Sequence, residues 1–465
     1  MRKKLKLLVS LSTFCLAIAV LCFGVFAAIK VTYTVSGTIS YEVNDAYVEM
    51  DTTVYAGTSA IKKLEVVENI KTLLSGSSSG LEDYETDVDF TYSSLSETDE
   101  EVTHPVTGLE LEGYYTYYLV TSITNLSEKN VYAQAITPTL PENVYMFDSG
   151  IQTTIAKDET KKIVIALAVE DYTQSISLSD GAFTVGVEVN AWGEDVTDGS
   201  QYLPTNITYT LSSTSDYYTI SSNSNTTGNI DNILMFIDGI PVTTVGSFSG
   251  NTNITGLDLP LTITNIGTST NSSIFFSCRN LTSINIPSSV EVLEKGCFDN
   301  VAWYDNLSAN EKGLGIVEAS DDKDVKYFIK TGTVTAVTED DFEGIKVIYK
   351  GAFSSNSTIT SVELPSGLTT LPDFTMCRNL SSVTIPESIT YISGFAMCSK
   401  LSEVIFKHKT GTVEIASAAS GINAEAVAKF AEGTTWSDGT TRYTHQNTPL
   451  LSSLFTKTWT ITTTA

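Results

Sequence analysis

Ile359-Thr-Ser-Val362-Glu-Leu364-Pro365-Ser-Gly-Leu368-Thr-Thr-Leu371 and, starting 21 residues later, Leu380-Ser-Ser-Val383-Thr-Ile385-Pro386-Glu-Ser-Ile389-Thr-Tyr-Ile392 are one pattern written twice. A third copy runs Leu281-Thr-Ser-Ile284-Asn-Ile286-Pro287-Ser-Ser-Val290-Glu-Val-Leu293. Cys377 to Cys398 and Leu380 to Leu401 keep the same spacing. Partial copies sit at Ile240 to Phe248, Leu257 to Gly267, Val347 to Phe353 and Val404 to Phe406, which makes about six or seven coils on the repeat-array principle. In each frame the paired apolar residues Ile284 and Ile286, Val362 and Leu364, and Val383 and Ile385 point the same way from a short strand. The following proline ends that strand, having no N–H to give a ladder. One coil cannot bury these faces alone, so stacking must create the core.

Cysteine fits the same frame. Cys278, Cys377 and Cys398 occupy equivalent positions, and Cys297 lies near that place in its own coil. An exported chain can pair cysteines. Stacked equivalents read instead as buried free thiols acting as small apolar fillers. No CxxC pair and no Cys/His cluster supports a metal site, and no cofactor is implied.

The repeats resemble the BspA-type leucine-rich repeat family, through Lys350-Gly351-Ala352-Phe353, Asn285-Ile286-Pro287 and Met397-Cys398-Ser399-Lys400-Leu401. That resemblance spans 205–406, with Tyr209-Thr210-Leu211 to Tyr218-Thr219-Ile220 similar to the hairpin that caps such solenoids. It implies an exported surface-binding protein, often an adhesin, without enzymatic chemistry. Two departures stand out. The coil from Ile254 to Leu281 is long, and 302–342 interrupts the array with Trp303-Tyr304 and the acidic Asp321, Asp322, Asp324 and Glu339 to Asp341. Beyond Phe406, Ala424 to Glu432 is expected to form a short helix, and 407–465 is expected to cap the array.

The sequence before the repeats has another character. Arg2 to Lys6 are basic and Leu7 to Ile29 carry no charge, so 1–27 reads as a signal peptide cut after Ala27 or as a membrane anchor. Either assignment exports the rest, giving an extracellular, secreted or cell-surface protein that meets a membrane only through an uncleaved leader. From Val31 to Trp192 the chain alternates as strands do: Tyr115, Leu119 and Ile123 in one, Phe183, Val185, Val187 and Val189 in another. Val31–Ser40 is the expected opening strand, and Ile163 to Val169 is apolar throughout, as a strand covered on both faces is. Ile61, Leu64, Val67, Ile70 and Leu74 recur at helical spacing, with Ser59 as the expected N-cap. The fold class is therefore mainly β: a β-sandwich over 30–192, a linker at 193–204, then the repeat solenoid. The leader, Gly24-Val25-Phe26-Ala27 and Ser36-Gly37-Thr38-Ile39-Ser40 resemble the secreted camelysin/TasA-type β-sandwiches; no metal or protease residue carries over.

Charge narrows the function. The chain has 27 Lys+Arg against 54 Asp+Glu, a net of −27. Nucleic acid and anionic membranes attract positive charge, so neither is a partner. His104, His408 and His445 are scattered with no nucleophile elbow, and no enzyme is expected. The acidic runs lack the spacing of an EF-hand loop and read as solvated. What repetition does create is a row of outward side chains on the strands: Ser283 and Asn285, Ser361 and Glu363, Ser382 and Thr384, and Glu403. Their hydroxyls and carboxylates suit a host or matrix protein or a glycan; an ordinary solvated ladder would look the same. A second class of function is self-association of the sandwich as a structural matrix subunit.

Overall fold

The computed structural model describes residues 48–58, 62–83, 102–106, 110–112, 115–126, 128–136, 140, 144–169, 175–177, 185–189, 199–270, 273–416, 425–440, 442–444, 448–449 and 457–463. The leader, the expected strand Val31–Ser40 and the acidic stretch Glu97 to Glu101 lie outside those residues. Among the described residues no helix is long and apolar enough to cross a membrane.

The first half is built on Tyr115–Asn125, which pairs antiparallel with Val48–Thr58 along its whole length and with Thr160–Val169 on its other edge. Val144–Asp148 extends that sheet beyond Thr160–Val169, and Glu82–Asp83 closes the opposite edge. A second sheet carries Val102–Val106, Val185–Val189, Val131–Ala135 and Ile151–Ile155 in that order. Between the two lie Tyr117, Leu119, Ile163, Ile165, Leu167, Val187 and Val189. This arrangement is compatible with a β-sandwich.

The strand expected to be covered on both faces is. Val164 and Ala166 point away from that core and pack under the helix Lys63–Leu74, against Val66, Val67, Ile70 and Leu73. The helix follows its apolar period, and Ser59, its expected N-cap, lies outside the described residues. Its N-cap is Lys62, which makes no side-chain capping bond. Glu65 in the first turn and Lys71 in the last complement the helix dipole instead.

The two halves are joined by one hairpin. Phe236–Ile237 and Ile240–Val245 pair antiparallel around Asp238-Gly239, both at positive φ (53° and 76°), the two-residue turn for which Asp-Gly is the preferred sequence. Ile237 pairs in parallel with Ile151, so one sheet runs from the first half into the solenoid. The Asp238 carboxylate accepts the Thr153 N–H at 2.6 Å and its hydroxyl at 2.8 Å, and Ile151 carbonyl accepts the Asp238 N–H at 2.8 Å. Gly150 is needed here: a Cβ would fall 1.9 Å from the Phe236 carbonyl oxygen. Tyr132 and Tyr202 stack at 3.6 Å, and Tyr132 and Ile151 share the solenoid core while Phe236 and Leu261 share the helix-side core.

The repeats form two parallel ladders, as the paired apolar positions require. One carries Gly228–Ile230, Ile254–Asp258 and Ser283–Asn285, resuming as Ala336–Val337, Ser361–Glu363, Ser382–Ile385, Glu403–Phe406 and Val427–Phe430. The other carries Ile240–Val245, Asn265–Ile266 and Val292–Leu293. The hairpin Ile207–Leu211 with Tyr218–Ser222 closes the near end, pairing in parallel with Ile240–Val245. At the far end Lys457–Thr463 runs antiparallel to Gly411–Ile415 and stops the parallel order. Val427–Phe430 is a strand, not the short helix expected from Ala424 to Glu432. Ala428 and Phe430 are buried on one face while Val427 and Lys429 are half-buried on the other, and the free ladder edge of Glu403–Phe406 outweighs local helix preference.

Aromatic rings make a spine through the coils. Phe248, Phe275 and Phe298 follow at 5.6 and 6.2 Å, then Phe328, Phe353, Phe374 and Phe395 at 5.5, 4.9 and 5.4 Å. Two residues after the phenylalanine the chain turns with positive φ in coil after coil: Gly250, Ser277, Asn300, Ser355, Met376 and Met397. The stretch 302–342 departs from the repeat in sequence more than in packing. Lys326–Lys330 runs parallel to Ile345–Ile348, Phe328 takes its place in the spine, and Val337 begins the resumed ladder. Only the short helix Ala302–Asn306 and the hairpin arm Gly315–Glu318 stand outside the coil frame. Asp321 ties the segment down, accepting the Ser288 N–H at 2.6 Å and its hydroxyl at 2.5 Å.

Candidate functional site: the outward ladder

The register sets Ala336, Ser361, Ser382, Glu403 and Val427 side by side, and beside them Glu363, Thr384, Ile405 and Lys429. Each apolar partner between them, Val362, Val383, Ile385 and Val404, is buried. Ala336 is exposed and the other outward residues are half-buried, so the row is a shallow surface in contact with solvent. The Ser382 hydroxyl donates to Glu403 Oε1 at 3.1 Å, and Lys429 forms an ion pair with the same carboxylate. Lys429 first, then Ser382, holds the Glu403 carboxyl below its ordinary value. Lys407 spans three coils, donating to Glu363 Oε1 at 2.8 Å and Glu339 Oε2 at 3.2 Å. Those carboxylates, Glu363 foremost, raise the Lys407 ammonium. Glu339 is held down by the Ser366 N–H and then by Lys407.

Ser283 and Asn285 belong to a different sheet. They are exposed on the last strand of the first ladder segment, beside Ile254–Asp258, and the 302–342 stretch separates them from the five other predicted residues. There the Asn229 amide donates to Asp258 Oδ2 at 3.1 Å and the Asn285 amide to Asp258 Oδ1. The predicted row is thus two rows of different chemistry: one of amides around a single carboxylate, one of hydroxyls with crossed ion pairs.

Sequence reasoning also passed over a groove of about 540 Å³ at the carboxyl ends of the second row's strands. Pro386, Ile405, Phe406 and Phe430 give it apolar walls; Lys407 and Lys409 stand at its edge. A signal was present. Phe406-Lys407 holds the place that Leu364-Pro365 and Ile385-Pro386 hold in earlier coils, so lysine replaces the strand-ending proline. With its N–H restored, Lys407 donates to the Ile385 carbonyl at 2.9 Å.

Among the described residues the four cysteines, Cys278, Cys297, Cys377 and Cys398, are buried and unpaired. Cys278, Cys377 and Cys398 each donate Sγ–H to the phenylalanine carbonyl of the preceding coil, Phe248, Phe353 and Phe374, at 3.0, 2.8 and 3.0 Å. Cys297 sits in another place, immediately before Phe298, where the later coil has Ala352 before Phe353. Burial raises all four thiols, Cys377 to about 12 and Cys398 to about 11. His408 is buried against Phe406 and Trp436, its Nε2 2.7 Å from the Ile389 carbonyl oxygen, and burial pushes its imidazole down. Among the described residues no three His, Cys, Asp or Glu side chains gather as a metal cluster.

Stacked coils of this length, with Leu-x-x-Val-x-Ile strands on parallel ladders, define a leucine-rich repeat solenoid. Residues 207–314 and 326–420 match the BspA type Leucine rich repeat region in six copies. No curated protein matches the chain. Among solved structures, a leucine-rich repeat protein of T. pallidum is 19% identical with a TM-score of 0.24, over 43% of this chain and 80% of that one. A leucine-rich repeat protein of Bacteroides ovatus is also 19% identical, with a TM-score of 0.23, over 44% of this chain and 49% of that one. A leucine rich cell surface protein of Faecalibacterium prausnitzii is 14% identical with a TM-score of 0.18, over 44% of this chain and 94% of that one.

Proposed function

We propose that this chain is an exported, non-catalytic surface protein that binds a host or matrix protein or a glycan through its outward ladder. The observation that supports this most is the in-register row Ser361–Ser382–Glu403 beside Glu363–Thr384–Ile405–Lys429. It offers donors and acceptors at strand spacing over several coils, which an extended ligand can follow. BspA-type repeat proteins are typically at the cell surface or secreted, and repeats of this kind mediate protein–protein interactions; both support the reading. The first row, Ser283 and Asn285 with Asp258, is a second contact area for the same ligand.

The test uses the whole chain, because the two halves share core residues. Immobilised extracellular-matrix proteins and glycans are titrated with the wild type and with Ser361→Arg, Ser382→Arg and Ser283→Arg, and light scattering is run in parallel. Saturable binding that Ser361→Arg or Ser382→Arg weakens tenfold or more supports the ladder. Binding untouched by all three variants, or no binding together with concentration-dependent assembly, overturns it.

A further inference from the structure

Resting on that ladder reading, we infer that the groove at the ends of the second row is a pocket for one apolar side chain of an extended peptide that carries a carboxylate next to it. Ile405 belongs to both features: it stands in register with Thr384 and Lys429 on the row and lines the groove. A strand-like ligand lying along the row therefore reaches the groove without leaving the surface. The groove crosses the carboxyl ends of four parallel strands, with Pro386 and Ile405 presenting carbon while the Phe406 and Phe430 rings are packed against Trp436.

Charge selects the neighbour of that anchor. The Lys407 ammonium is held by Glu339 and Glu363 and has little to offer a ligand. Lys409 is exposed and, among the described residues, has no carboxylate partner. In a chain of net charge −27, Lys409 is a cation without an ion pair beside an apolar opening that Glu387 also lines. It complements an acidic residue of the ligand. A sugar ring is the poorer fit. Glycans stack on exposed aromatic faces, whereas Phe406 and Phe430 are only 2% and 6% accessible, with their rings packed against Trp436.

The experiment selects a phage-displayed random dodecapeptide library on the wild-type chain, then measures fluorescein-labelled winners by polarisation against Lys409→Glu, Ile405→Asp and Ser361→Arg. Lys409 is exposed, so its reversal leaves folding intact, and thermal melts check Ile405→Asp. The expected winners pair an aliphatic or aromatic residue with Asp or Glu, bind about tenfold more weakly to Lys409→Glu, and recover when their acid is changed to Lys. Winners lacking the pair, or indifferent to Lys409 and Ile405, overturn the pocket. If such winners lose affinity only with Ser361→Arg, the ladder stands and the pocket falls. If no peptide is enriched over the Ile405→Asp variant, the pocket falls, and the ladder is judged by the matrix-protein and glycan titration alone.

Discussion

Replacing Asp238 by glycine tests whether the hairpin at the joint couples the two halves. Glycine accepts the φ of 53° that this turn position requires, so the turn survives while the carboxylate is lost. Two hydrogen bonds go with it, from the Thr153 N–H at 2.6 Å and the Thr153 hydroxyl at 2.8 Å. Bonds to a charged partner contribute about 1.5–3 kcal/mol each when buried. Asp238 and Thr153 are half-buried and the two bonds share one carboxylate, so about 2 kcal/mol for the pair is the working figure. At 1.4 kcal/mol per decade that is about a 30-fold change in local opening. Native-state hydrogen exchange reads it directly. The amides of Thr153, Asp238 and Val242 are expected to lose about 30-fold in protection. The amides of Leu364 and Ser402, several coils away, should be unchanged, because repeat stability is passed between neighbours. Asp238→Asn should recover most of the protection, since an amide can still accept the N–H and donate to the hydroxyl. A loss under threefold at the joint, or an equal loss throughout the chain, would refute the coupling.

Three further outcomes follow from the solenoid. The thiols of Cys278, Cys297, Cys377 and Cys398 should resist alkylation at pH 8 in the native state and react fully in denaturant, because burial disfavours the reactive thiolate; peptide mass spectrometry of the alkylated sites checks this, and rapid native labelling would contradict it. His408 should make the far cap acid-sensitive: its folded imidazole resists protonation that the unfolded one accepts near pH 6.5, so stability is present above that value and falls as pH drops from 7 toward 5. Urea melts at both pH values should show a smaller acid loss in His408→Gln than in the wild type. Met397→Asn should raise stability by about 0.5–1 kcal/mol, since Met397 is 46% exposed at a φ of 60° that asparagine tolerates better; Met397→Ile should lower the melting temperature instead.

The parts most legible in the sequence were those where one physical demand repeats. Ile284 with Ile286 and Val383 with Ile385 disclosed the ladder because every coil has to bury the same pair. The helix under Val164 and Ala166 was legible through its apolar period, but its start was not, since Lys62 caps nothing and leaves no signature. Phe328 escaped notice because its coil spells the frame with other residues: Thr331 stands where later coils have cysteine, and its hydroxyl donates to the Ala352 carbonyl at 3.4 Å. The division of the outward residues into two rows depends on that same stretch, so it was hidden too. The joint was the least legible feature. Asp238-Gly239 announces a turn, but nothing local in it says that its aspartate will clasp Thr153, a residue 85 positions earlier.

The cysteine position shows how the frame chooses residues. Asn251 and Asn356 stand three residues after Phe248 and Phe353, as Cys278, Cys377 and Cys398 stand three after Phe275, Phe374 and Phe395. Both residue types reach back to the preceding coil. The asparagine amides donate to the Thr226 carbonyl at 3.1 Å and the Gly332 carbonyl at 3.2 Å, and the thiols donate to phenylalanine carbonyls. Asparagine does more, since its Oδ1 also accepts two amides of its own turn, Asn253 and Ile254 in one coil and Thr358 and Ile359 in the other. In these five coils the site holds a small side chain with a donor directed along the stack, while the Phe298 coil fills it with the buried, apolar Val301. Cysteine supplies that donor without a polar oxygen to satisfy, which suits coils whose turns already pair their own amides. A shared cysteine spacing in stacked coils is then evidence of a shared hydrogen bond to the coil before, and a disulfide is not needed to explain it.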